Sequence, residues 1–148
     1  MTIKDFQTQI ANALNGVEAL TQGGCKVFAE DMLTTQNALN NAVVTAGKIA
    51  VVVITPRIER NGGDVEDGFP SECSLLVSCI EAPVHRKARG GFTALDAAEA
   101  VAHALNSEMV NWRSIEQRSD EERGVVYATA EFGTTLILGD GEDAGAAE

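Results

Sequence analysis

Residues 84–105, VHRKARGGFTALDAAEAVAHAL, hold the densest set of chemical groups in the chain. His85, Arg86, Lys87 and Arg89 precede Gly90, Gly91 and a helix start at Thr93. A helix N-terminus carries partial positive charge and free N–H groups. Bases, a glycine turn and such a terminus together have the chemistry of an anion cradle. The same residues also suit a solvated loop or a protein-contact loop. The types and spacing alone do not choose among the three.

The other candidates are weaker. His85 and His103 are the only histidines, and Cys25, Cys73 and Cys79 the only cysteines. A Cys–His nucleophile pair needs an exposed, electropositive thiol and an oriented base. Cys79 lies six residues before His85, but no third residue is identifiable to orient the base. Cys73 and Cys79 on one strand would stand about 20 Å apart, beyond the roughly 7 Å of a disulfide. The cysteines read as small buried thiols. The sequence has no CxxC, GxSxG, HExxH, Walker A or GxGxxG, so no metal, no cofactor and no catalytic residue is expected. GDGED, 139–143, lacks the frame of a calcium loop. Glu81 and Glu131 read as solvent-facing strand positions.

These groups must be held by elements with clear signals. Ile3, Phe6, Ile10, Leu14, Val17 and Leu20 recur at steps of three and four and predict a helix, stopped by Gly23 and Gly24. CKVFA, 25–29, predicts a strand. Residues 32–46 carry a weaker helical stripe of Met32, Thr35, Leu39, Ala42, Val43 and Ala46, with Asn pairs and β-branched residues against it. KIAVVVITPR, 48–57, is apolar on both faces at its centre and predicts a central strand ending near Pro56. Residues 58–72 read as a loop with an Asn61-Gly62-Gly63 turn and a wholly acidic second part: Asp64, Glu66, Asp67 and Glu72. CSLLVSCIEA, 73–82, completes a long hairpin. Thr93 with Asp96 three residues on resembles a capping box. It opens a helix to Ser107 whose narrow face is Leu95, Ala98, Val101, Ala102 and Leu105. A Trp112-led strand, the turn SDEERG and a strand through Tyr127 and Phe132 form a last hairpin.

The expected fold class is α+β: an antiparallel sheet of four to five strands, with two or three helices mainly on one face. One domain over residues 1–138 and a disordered acidic tail over 139–148 account for the whole length. No run of 18 apolar residues predicts a membrane span. MTIKDFQTQIANALNG lacks the apolar block of a secretory signal, so the expected location is the cytoplasm. With 22 acidic against 11 basic side chains, the chain lacks the broad basic face that nucleic acid requires.

Charge also links two distant segments. Arg86, Lys87 and Arg89 form a basic loop; Asp64, Glu66 and Asp67 lie in an acidic one. Set on opposite flanks, they would join copies head to tail, and such interfaces close into rings.

Element order carries a resemblance. The run KIAVVVITPRIERNGG, the acidic loop, SLLVSCIEAPVHRKARGG, TALDAAEAVAHALN and a Trp-led hairpin ending YATAEFGTTL resemble the tail terminator (tail-completion, minor tail) proteins of long-tailed bacteriophages and prophages, over about residues 3–138. The resemblance implies a non-enzymatic structural subunit. Identical copies would form a ring, usually a hexamer, that caps the tail tube and joins it to the head-side connector. Host cytoplasm before assembly and then the virion tail would be its locations, and its own copies, the tube and the connector its partners. That family has no motif residues to carry over, so the long hairpin and the loop before the third helix are implied only as contact regions. The readings from other classes are an anion- or nucleotide-binding domain or enzyme built on the 84–93 loop, and an adaptor that takes a partner strand at a sheet edge.

Overall fold

The computed structural model describes residues 1–29, 39–63 and 68–139. Its elements are α1 (Ile3–Asn15), α2 (Glu18–Gln22), β1 (Cys25–Ala29), a π-helical turn (Asn40–Thr45), β2 (Ile49–Arg60), β3 (Phe69–Glu81), α3 (Ala94–Leu105), β4 (Val110–Asp120) and β5 (Val125–Leu138). Two 3₁₀ turns, Pro83–His85 and Lys87–Arg89, lie between β3 and α3. The five strands form one sheet in the order β1-β2-β3-β5-β4.

The α+β class and the five strands agree with the sequence. The sheet is mostly, not wholly, antiparallel: β1 runs parallel to β2, with Cys25 opposite Ile49. The cause is the connection. Residues 30–48 are long enough to carry the chain back to the same end of the sheet, as a parallel neighbour requires. The other three strand pairs are antiparallel.

The stripe expected as one helix over 3–20 is two helices. Thr2 and Asp5 cap α1 reciprocally, Gly16 ends it, and Val17 is extended before α2 starts. Leu14 and Leu20 still reach the same core, each essentially unexposed. The strand expected to end at Arg57 continues to Arg60 through a register shift between Ile54 and Arg57. Pro56 lies within that shift, where a missing N–H disrupts the ladder least. β3 likewise starts at Phe69, so residues 58–60 and 69–72 of the expected loop are strand, and 64–67 lie outside the described residues.

The main core lies between one sheet face and the helices. Val51, Val53, Leu75, Val77, Ala130 and Phe132 meet Leu14, Ala97, Ala98 and Val101 there. Small alanines let α3 lie close to the strands. Leu95, expected on the buried face of α3, is 40% exposed; Ala94 and Ala97 are buried instead. A smaller cluster of Val43, Ala50, Val52, Ala82 and Val125 covers part of the opposite face, under the π-helical turn. Of the weak helix expected over 32–46, residues 32–38 lie outside the described residues, and 40–45 form that turn. Among the described residues no helix is long and apolar enough to cross a membrane.

Candidate functional site

The opening stretch closes around a residue that the sequence reading placed elsewhere. Glu81, expected to face solvent, is the last residue of β3 and has no exposed surface. Strand parity explains the correction. Cys73, Leu75, Val77 and Cys79 all point into the main core, and Glu81 is the next residue of that face. A carboxylate there needs charged partners.

The segment after β3 supplies them. Ala82 is extended and the two 3₁₀ turns fold the chain back over the strand end. Gly90 and Gly91, with φ of 71° and 87°, then redirect it into α3. The left-handed backbone is the reason glycine stands there. Thr93 caps α3, accepting from Asp96 N–H, while Asp96 accepts from Thr93 N–H at 3.0 Å.

This path aims donors from three residues at one carboxylate. Arg86 Nε donates to Oε1 and Oε2 of Glu81, at 3.1 Å each, and Arg86 Nη2 to Oε2 at 2.9 Å. Arg89 Nη2 donates to Oε1. Ala94 N–H, at the start of α3, donates to Oε2 at 2.8 Å. An anion cradle, one of the three readings the sequence leaves open, is therefore present, and its anion is the chain's own. Arg89 further donates through Nη1 to Gly47 O at 2.6 Å and through Nε to Phe92 O at 3.3 Å. His85 packs on Gly47, whose φ of 71° and absent side chain admit the ring. The hydrogen bonds from Arg86 to Glu81 raise the already high Arg86 pKa, so this guanidinium remains charged at any ordinary pH.

The expected contact bases thus divide. The Arg89 side chain is only 6% exposed and structural, Arg86 is 42% exposed, and Lys87 faces solvent. Asp64, Glu66 and Asp67 lie outside the described residues. An open cleft of about 890 Å³ beside Gly90 and Gly91 is bordered by Asp96, Glu99 and His103. Its two carboxylates disfavour a second anion.

The thiols have the wrong environment for nucleophiles. Burial pushes Cys25 up to about 11 and raises Cys73 and Cys79 as well. All three are free cysteines. His103 is exposed on α3. Glu131 is half-buried on the sheet face away from the helices. Among the described residues no cluster of three His, Cys, Asp or Glu could hold a metal ion. Sequence reasoning missed Glu81 and the outer edge of the sheet at β4; the alternation of β3 was the signal for the first.

No protein-family model matches the sequence, and no curated protein matches it. A solved structure does match. The chain is similar to a chain in the structure described as the virion of a native gene transfer agent (GTA) particle, at TM-score 0.51 and 15% identity, over 88% of this chain and 93% of that one. The two share a fold. A crystal structure from Akkermansia muciniphila aligns over 93% of this chain and 79% of that one at 12% identity, but its TM-score of 0.32 carries no argument.

Proposed function

We propose that this chain is a structural subunit of a phage-like particle, and within it the tail terminator. One observation carries the reading: the fold matches a chain of a gene transfer agent virion over nearly the full length of both. The family resemblance of the sequence points the same way by an independent route. In this reading identical copies, six by the resemblance, form a ring on the head-proximal end of the tail tube. The ring stops tube growth and presents the surface that the head-side connector meets. The chain performs no catalysis, waits in the host cytoplasm, and ends in the virion tail.

The Glu81 cluster supports this reading over the anion-binding one. A site whose two arginines and helix N–H already hold a buried carboxylate is a fastening, not a receptor. It fixes the 83–92 segment to the sheet end and so gives the exposed Lys87 and the outer side of Arg86 a defined position. In the ring these two would face the acidic loop of Asp64, Glu66 and Asp67 on a neighbour, while Arg89 holds the loop from within.

Immunogold labelling of intact particles tests the proposal. Label confined to the joint between head and tail supports it. Purified particles devoid of the chain refute it.

A further inference from the structure

We propose that free copies of this chain pair through β4, antiparallel, about a twofold axis at Gln117. The inference goes beyond the particle reading and does not depend on it. β4 is the outermost strand of the sheet and eleven residues long. Among the described residues no strand pairs with its outer side, and it carries neither Lys nor Pro; such an edge is a template for another strand.

The open part of that edge has a definite centre. At its start, Trp112 N–H is already engaged by Asn106 Oδ1 at 3.2 Å, and Val110 N–H by Ser107 Oγ at 3.2 Å. At its end the chain turns back after Asp120. The run Ser114–Asp120 remains, and its middle residue is Gln117.

Charges about Gln117 are exchanged rather than repeated. Glu116 and Arg118 flank it. Antiparallel pairing about this centre sets Glu116 of each copy opposite Arg118 of the other. Glu116 and Arg118 are both exposed and on one sheet face, opposite Thr129 and Tyr127 of β5. Opposite charges directly across strands stabilise a pair and like charges destabilise it.

Apolar surface follows the same symmetry. Trp112, 47% exposed, lies on the helix side of the sheet with Ile115 and Leu95, along a groove of about 500 Å³. In the pair it reaches the partner copy's β4–β5 turn. There Val84, 83% exposed, borders a shallow cleft with Pro83, Ser119 and Val126. The symmetry makes this contact twice, as an isologous interface does. A stable interface buries at least roughly 1,200 Å² in total, and the two tryptophans add apolar area to the strand pairing.

Sedimentation of the purified chain across a concentration series, at moderate salt, tests the pair. A monomer–dimer equilibrium is expected. Glu116→Arg and Arg118→Glu, each placing like charges opposite one another twice, should each weaken it on the order of tenfold, about 1.4 kcal/mol. The double variant Glu116→Arg/Arg118→Glu should return it to the original strength, and Trp112→Ala should weaken it. Circular dichroism checks that the variants fold. A chain monomeric throughout overturns the proposal. So do single reversals without effect, or a double variant no stronger than the singles. A ring that survives the single reversals overturns the pair while leaving the particle reading standing.

Discussion

Replacing Glu81 by glutamine tests whether the loop is fastened as described. The side chain has no exposed surface and accepts from two guanidinium groups and one helix N–H. Glutamine keeps the shape, but its NH₂ faces donors, and the 6%-exposed Arg89 loses its counter-charge. Removing one member of a buried ion pair costs about 3–5 kcal/mol. Total stability for such a domain is about 5–15 kcal/mol. The expected shift in melting temperature is roughly 10–15 °C, at about 3 °C per kcal/mol for this size. Arg86, with 42% of its side chain in solvent, should matter less: Arg86→Met is expected to cost about 1–2 kcal/mol. Urea unfolding followed by circular dichroism measures both through the midpoint at unchanged slope. Replacing all three charges together, Glu81→Leu with Arg86→Met and Arg89→Met, should recover much of the loss, since an apolar cluster of like volume often equals a buried ion network. Glu81→Gln within about 0.5 kcal/mol of the parent, or more benign than Arg86→Met, would refute the reasoning, because surface substitutions fall in that range.

Three further outcomes follow from the structure. Thr93→Ala removes the hydroxyl that accepts from Asp96 N–H and should cost about 1 kcal/mol in the same unfolding assay. Gly68→Ala should destabilise the β2–β3 hairpin by about 1–3 kcal/mol or more, because the residue has φ of 141° and a Cβ would lie 2.0 Å from the Leu138 carbonyl oxygen. Raised thiol pKa values make stability fall at high pH: the unfolded thiol ionises from about 9.0 upward while Cys25 holds its proton to about 11, so its contribution is complete below pH 9 and lost between these values. Unfolding free energies at pH 8 and pH 10.5 check the sign, with Cys25→Ala expected to reduce the difference and leave the part due to Cys73 and Cys79.

The fold was legible where periodicity was strong. The apolar run Ile49–Ile54 found the interior strand β2, Thr93 with Asp96 found the start of α3, and the hairpin alternations found β4 and β5. What local pattern did not hold was the consequence of tertiary contact. The parallel placement of β1 depends on where residues 30–48 carry the chain, and the break at Gly16 on how α2 meets the core. Pro56 suggested an end to β2 because a strand interior rarely accepts proline; a register shift accepts it. The site was half legible. Arg86, Arg89, the glycines and the helix start allowed an anion cradle beside a solvated or contact loop, and any anion was sought outside the chain. Glu81 looked polar and therefore exposed, although the four core-facing residues before it in alternate positions point inward. The β4 edge carries its message in charge order about Gln117, which no hydrophobic period displays.

Electron microscopy of particles from a host with and without this chain tests the central claim most directly. The account predicts that loss of the chain leaves tail tubes of uncontrolled length, unjoined to heads, and that supplying the chain restores joined particles of uniform tail length. Joined particles with normal tails in its absence would contradict the account.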